Sequence, residues 1–188
     1  MKIGVLALQG DFREHITILR KLNVNSTEIR KPEEMNDIDG LIIPGGESTA
    51  ISSFLKKTKL NKEIIKKNKN GMCIYGTCAG AIILAREIKG QKNSSLGLAD
   101  IAIKRNDYGR QIESFETELS IKEIGKFNGI FIRAPAITKC NNNCEILAEF
   151  DDKPVMLKED KILITTFHPE LTKDTRIHRY FLDMVKNS

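Results

Sequence analysis

The sequence predicts a three-layer α/β/α domain on a mixed sheet that is parallel at its centre. Three observations lead there. The first half of the 188 residues alternates short apolar strand patterns with amphipathic helix patterns. The second half changes to runs that read as antiparallel strands. Gly-rich or His-Pro turns follow three of the apolar runs, and open α/β sheets gather their sites at the carboxyl ends of central strands.

Lys2 to Leu8 is a short apolar run stopped by Gln9-Gly10. Asp11, with Glu14 three residues later, has the form of a capping box opening a helix in which Phe12, Ile16, Leu19 and Leu22 recur at helical spacing. A strand is expected around Val24 to Ile29, and after Lys31-Pro32 a short buried strand, Gly40 to Ile43, is stopped by Pro44-Gly45-Gly46. Thr49 to Asn68 reads as helix broken near Thr58 to Asn61, Met72 to Tyr75 as a buried strand, and Gly80 to about Glu87 as helix. Strands are then expected at Leu98 to Ile103, Ile112 to Leu119, Gly129 to Ile132, Glu145 to Phe150, Pro154 to Lys158 and Ile162 to Phe167. Asp174 to Lys186 is an amphipathic helix with Ile177, Phe181, Leu182 and Val185 on its apolar stripe. The chain shows no repeat, linker or low-complexity segment, so residues 1–188 are expected to form one domain, long enough to bury a core without metals or disulfides.

Composition narrows the partners. Lys and Arg number 30 against 25 Asp and Glu, a net charge of +5 that raises the question of nucleic acid or an anionic membrane. Lys56, Lys57, Lys59, Lys62, Lys66, Lys67 and Lys69 crowd one helical stretch as a solvated face, with almost no aromatics interleaved to stack on bases, so neither partner is expected. No apolar run reaches the roughly 20 residues of a membrane helix, and Met1 to Leu8 lacks a signal-peptide pattern, so a cytoplasmic location is expected. Of four cysteines, Cys73 sits in an apolar run and reads as core, while Cys140 and Cys144 flank Asn141-Asn142-Asn143 and read as free thiols; none has the paired spacing of a zinc site.

Cys78 has neighbours that suggest chemistry. Gly76-Thr77-Cys78-Ala79-Gly80 has the spacing of a nucleophile elbow between a predicted strand and a predicted helix, with Cys in place of Ser. The thiol then faces a helix amino terminus, whose partial positive charge suits a nucleophilic sulfur. A buried Cys in a Gly-rich turn is the plainer alternative. His168 follows the strand pattern Ile162 to Thr166, and Glu170 lies two residues on, so an extended chain puts base and orienting carboxylate on one side; a surface His-Pro turn is the alternative. His15 and His178 fall inside helix patterns and are expected to be ordinary, partly exposed residues. Pro44-Gly45-Gly46 allows a backbone to approach a ligand, so the Gly46 amide, with that of Ala79, could form an oxyanion hole.

Six segments together resemble the class I glutamine amidotransferases, and among them the glutaminase subunits of pyridoxal 5'-phosphate synthase. They are Gly4 to Gly10 with Arg13-Glu14-His15, Pro44 to Thr49, Gly76 to Gly80, Arg105-Asn106 with Gly109-Arg110-Gln111, Phe131 to Pro135, and Phe167 to Leu171. The cysteine and His-Pro-Glu segments are common to many class I amidotransferases, whereas the first, fourth and fifth are more specific to this subunit. The resemblance implies a flavodoxin-like fold. It also implies Cys78 as nucleophile with His168 and Glu170, and Gly46, Glu47, Ser48, Arg105, Ile132 and Arg133 contacting glutamine. Its further implications are hydrolysis of L-glutamine through a thioester, no cofactor and no metal, and a pyridoxal 5'-phosphate synthase (lyase) subunit as the partner that receives ammonia. Independently, Arg105 and Arg133 suit the α-carboxylate of glutamine, which favours a charged planar donor. A class I amidotransferase serving another acceptor, an elbow-Cys hydrolase and a binding subunit with an inactive triad are the other readings.

Overall fold

The computed structural model describes residues 1–90, 95–105 and 114–188. In chain order the elements are β1 (Lys2–Leu6), α1 (Phe12–Lys21), β2 (Asn25–Ile29), a 3-10 turn (Pro32–Met35), β3 (Gly40–Ile43), α2 (Ser48–Thr58), α3 (Leu60–Lys69), β4 (Cys73–Thr77), α4 (Ala79–Leu84), β5 (Ala85–Ile88) and β6 (Ala99–Lys104). There follow β7 (Ser114–Ile121), β8 (Gly125–Ile132), β9 (Ala136–Cys140), β10 (Glu145–Phe150), β11 (Lys153–Glu159), β12 (Ile162–Thr165), a second 3-10 turn (Pro169–Leu171) and α5 (Arg176–Lys186).

Among the described residues, seven strands form one sheet in the order β10-β11-β12-β4-β3-β1-β2. The run from β12 to β2 is parallel, and β10 and β11 extend it antiparallel. Side-chain alternation assigns its two faces. Ile3, Val5, Ile42, Tyr75 and Leu163 pack with Leu19 of α1 and Ile177 and Phe181 of α5. Leu41, Ile43, Ile74 and Ile164 face the other way, against Ile51 and Leu55 of α2, Ile64 of α3 and Ile83 of α4. Helices therefore cover both faces, the expected three layers with a mixed, centrally parallel sheet. A three-stranded sheet, β5-β6-β9, and a ribbon, β7-β8, stand beside it.

The helix expected to break near Thr58 to Asn61 does so at Lys59, whose left-handed φ of 63° separates α2 from α3. Three expectations are corrected. Asp11 precedes α1, but its side chain caps no amide, so the capping box is not formed. The helix starting after Cys78 stops at Leu84, because Ala85 swings to an extended ψ of 146° and Ala85 to Ile88 pair in parallel with β6. Strand β9 was not expected, since Thr138 and Lys139 are exposed and dilute its apolar pattern; it exists through antiparallel pairing with β6. The expected strand at Ile112 to Leu119 is described only from Ser114, and its first two residues, with Asn106 and Gly109-Arg110-Gln111, lie outside the described residues.

The turn from β4 into α4 is packed to contact. A Cβ at Gly80 would lie 2.1 Å from the Ile43 carbonyl oxygen, and one at Gly76 2.7 Å from Leu84 Cδ1. Backbone on backbone cannot be relieved by a rotamer change. Gly80→Ala should therefore destabilise the protein by about 1–3 kcal/mol, read as a lower denaturant midpoint; an unchanged midpoint would show that α4 can lift from β3 at no cost.

Candidate active site

Strands β12, β4, β3 and β1 are neighbours and parallel, so their carboxyl ends lie side by side. Phe167-His168 follows β12, Cys78 follows β4, Pro44-Gly45-Gly46 follows β3 and Gln9-Gly10 comes just after β1. Cys78 sits at φ 47°, ψ −100°, an unfavourable conformation for a residue with a Cβ, in the sharp turn expected of a nucleophile elbow. Its amide donates to the Thr165 carbonyl at 2.8 Å, tying the turn to β12. Ala81 is the first to donate a helix-type bond back to the Cys78 carbonyl, at 3.1 Å.

His168 is placed by its own amide, which donates to the Ile130 carbonyl of β8 at 2.8 Å. Its Nδ1 lies 2.8 Å from Glu170 Oε1, and both side chains are buried. The pairing comes about through the 3-10 turn Pro169–Leu171 and not through an extended chain, which corrects the route expected from the sequence but not the partners. Burial alone would lower the His168 pKa, but hydrogen bonds and charge attraction from Cys78 and Glu170 outweigh it and raise the value to about 11. Glu170 is raised, first by burial, against the opposing hydrogen bond and charge of His168. His168 thus interacts with both Cys78 and Glu170, and both favour its protonated form.

A cavity of about 390 Å³ opens in front of these side chains. Cys78, His168, Gly46, Glu47, Ser48, Ala79, Arg105, Ile132 and Arg133 all line it, and Glu170 lies behind His168. Gln9, Asp11, Ile82 and Leu171 line it too. Gly45 and Gly46 are required by close approach: a Cβ at Gly45 would lie 2.4 Å from His168 Cε1, and one at Gly46, where φ is 147°, 2.4 Å from Gln9 Oε1. The loop is held by Asp11 N–H donating to the Gly45 carbonyl at 3.1 Å and Glu47 N–H donating to Gln9 Oε1 at 2.7 Å. The Glu47 carboxylate accepts from the amides of Thr49 and Ala50 as the cap of α2, chiefly the reason its pKa is lowered. Asp11, His168 and Glu170 bring potential ligand atoms within 4.8 Å of one another, but His168 Nδ1 is already engaged by Glu170.

Comparison with known proteins agrees with this geometry. Residues 5–187 match the model of the SNO glutamine amidotransferase family. The chain belongs to that family. It is 51% identical over 188 residues to a protein of Thermotoga maritima named pyridoxal 5'-phosphate synthase subunit PdxT, covering 99% of this chain and 100% of that one. A protein of the same name from Thermosipho africanus is 50% identical over 187 residues, again with 99% and 100% covered. A solved structure described as a glutamine amidotransferase superposes with a TM-score of 0.95 at 45% identity, covering 98% of each chain. The resemblance noted in the sequence is thereby established, and so is the fold class.

In this amidotransferase two histidines expected to be partly exposed are fully buried directly behind the site, a correction to the sequence reading. His15 Nδ1 lies 2.9 Å from His178 Nε2, and His15 Nε2 lies 3.3 Å from Thr77 Oγ1 and 3.7 Å from Glu170 Oε1. The signal was in the helical period: His15 shares a face with Ile18 and Leu19, and His178 with Phe181 and Leu182. Asp11, read as a cap, instead places Oδ2 3.5 Å from His168 Nδ1. Among the described residues no helix is long and apolar enough to cross a membrane.

Burial holds the His178 pKa down to about 3, and burial, then His178 and His168, hold that of His15 well below its ordinary value. Below about pH 6.5 the unfolded chain therefore takes protons that the folded chain refuses, and stability falls by up to about 1.4 kcal/mol per pH unit for each histidine. His168 has the opposite sign: its contribution is complete below about pH 6.5 and is lost as pH rises through about 11. The melting temperature should therefore fall on acidification from pH 7 to 5, less steeply in His178→Leu. A parent protein with a level melting temperature over that range would contradict the sign given to these histidines.

Proposed function

We propose that this chain hydrolyses L-glutamine to L-glutamate and ammonia with Cys78, His168 and Glu170, acting as a single amidotransferase domain over residues 1–188. The supporting observation is the His168 Nδ1 to Glu170 Oε1 bond of 2.8 Å, with Cys78 and the same ring both lining the cavity. The ring's remaining nitrogen, Nε2, carries the proton that the reaction moves.

The Cys78 thiolate attacks the side-chain amide carbon, and the carbonyl electron pair moves onto oxygen, received by the backbone N–H groups of Gly46 and Ala79. Collapse of the intermediate breaks the C–N bond, and His168 Nε2 gives its proton to the departing nitrogen, which leaves as ammonia. Neutral His168 then takes a proton from water as the oxygen attacks the thioester, and the C–S bond breaks to release glutamate and restore the Cys78 and His168 ion pair. Glu170 keeps Nδ1 protonated and balances the imidazolium. Arg105 and Arg133 line the cavity and suit the α-carboxylate; Arg105 Nη1 donates to Thr49 Oγ1 at 3.1 Å, while its Nε is buried without a partner among the described residues. Ser48 and Ile132 line the same cavity, and with the Glu47 carboxylate committed to α2, the Glu47 contact falls to its main chain.

The ammonia acceptor in this reading is a pyridoxal 5'-phosphate synthase subunit, supported by the name of the relatives that match over nearly the whole chain. Cys78→Ala should abolish glutamate release with the fold intact, since it removes the only proposed nucleophile from a turn whose strain it does not increase; near-normal turnover would remove Cys78 from the mechanism. A second expectation concerns the loop. The Gly45-Gly46 peptide carries an oxyanion donor, and two adjacent glycines can rotate their shared amide plane at little steric cost. The loop hangs on Gln9 and Asp11 at the end of β1, where a docking partner could act. Glutamate release per Cys78 should rise by about two to three orders of magnitude with saturating synthase, the worth of one oxyanion donor; equal rates with and without synthase would refute activation while leaving the triad untouched.

A further inference from the structure

Behind the triad, His178, His15 and Thr77 form an unbroken line of polar atoms ending on Glu170 Oε1, and all four side chains are buried. We propose that this line is a polarised hydrogen-bond relay in which every donor points toward Glu170, making His15 and His178 positioning residues for the Glu170 and His168 pair. The proposal rests on the triad reading above and extends it to groups that touch neither substrate nor Cys78.

Two proton arrangements fit the distances. In the first, His15 carries its proton on Nδ1 and donates to His178 Nε2, 2.9 Å away. That forces the His178 proton onto Nδ1, which is buried without a partner among the described residues. It also turns the bare lone pair of His15 Nε2 toward a carboxylate oxygen 3.7 Å away, and a Thr77 hydroxyl that donates to this lone pair is lost to Glu170. One donor is orphaned, and an electron pair faces a negative charge.

The second arrangement removes both penalties. His178 Nε2–H donates to His15 Nδ1, His15 Nε2–H faces Thr77 Oγ1 at 3.3 Å and Glu170 beyond it, and the Thr77 hydroxyl donates to Glu170 Oε1 at 3.5 Å. Only the lone pair of His178 Nδ1 remains unpartnered. Each bond polarises the next, so the relay delivers positive dipole to the oxygen that also receives His168 Nδ1–H.

The need for such a device follows from the surroundings of Glu170. Its Oε2 has no hydrogen-bond partner among the described residues, so the carboxylate relies on Oε1. Burial opposes its ionisation most, and the Asp11 carboxylate, just before α1, opposes it further. Tyr75 of β4 stands near with its phenol held neutral, Cys78 and His168 lie on the active-site side, and α5 contributes His178. Both relay histidines are held neutral by burial, so they favour the carboxylate as dipoles and leave His168 as the one imidazolium in the cluster. A cation at position 15 would instead compete with His168 for the same oxygen.

The chain has three histidines in all, so nitrogen-15 labelling of its imidazoles yields a spectrum simple enough to assign every ring nitrogen. In the full chain between pH 6 and 8, His15 and His178 should each show a protonated Nε2 and a bare Nδ1, with Nδ1 of His168 protonated. A proton on His15 Nδ1, or a cationic His15, would overturn the relay whatever the enzyme's activity. Kinetics give the second arm. His178→Leu removes the terminal donor, and the acid limb of kcat should move up by about one pH unit, with KM for glutamine unchanged. His178→Gln, whose amide nitrogen can replace the lost donor, should restore the parent profile. Identical profiles for Leu, Gln and parent would refute the relay. An active Cys78→Ala would instead refute the triad and leave the proton positions as measured.

Discussion

Cys78 is held at φ 47° and ψ −100° in a turn that three separate contacts keep closed. Its amide is bonded to the Thr165 carbonyl, the backbone at Gly80 lies against the Ile43 carbonyl, and Gly76 lies under Gly80 and Leu84. Two of these contacts reach neighbouring parallel strands, β12 and β3, so the elbow exists only once the centre of the sheet is assembled. The same neighbours deliver His168 from one side and the Gly45-Gly46 loop from the other. Strain at the sulfur and placement of its partners therefore have one cause, the parallel register of β12, β4 and β3.

Around that turn the charges are arranged by depth. The cavity mouth carries groups open to solvent or nearly so, such as Arg133, while Glu170, bonded to His168, is buried and burial disfavours charge on the two histidines behind it. This order leaves His168, at the cavity, as the imidazole hydrogen-bonded to the buried carboxylate. Asp11 departs from it, a half-buried carboxylate 3.5 Å from His168 Nδ1 that also belongs to the segment holding the Gly45 loop. A change at the end of β1 would therefore be felt both in the loop geometry and in the field at His168.

Much of the site was legible because its residues are close in sequence. The elbow needs only five consecutive residues, Gly76 to Gly80, and the strand-turn-helix context around them follows from apolar runs and glycines. His168 and Glu170 are two apart, so their pairing was readable although the turn that achieves it was not. Helix α2 broke at Lys59 where polar residues interrupted its pattern. The helix after Cys78 was overextended because Ala85 to Ile88 have no local reason to leave a helix; their strand is made by pairing with β6. Asn106 and Gly109-Arg110-Gln111 lie outside the described residues, so their part in the resemblance stands on sequence alone.

The sequence by itself determined the alternation of strands and helices from β1 to α4, the parallel character of that half, the candidate nucleophile and its two candidate partners, and the resemblance to the family. These rest on periodicity and on short motifs, which the local chain carries entire. Only the tertiary structure decided that Asp11 faces His168 instead of capping α1, and that Glu47 caps α2. It alone brought His15 and His178, 163 residues apart, within 2.9 Å behind Glu170. A helical period can say that a histidine lies on the buried face. Which groups meet it there depends on the packing of α1 and α5 on the same face of the sheet, and that packing is a property of the whole fold.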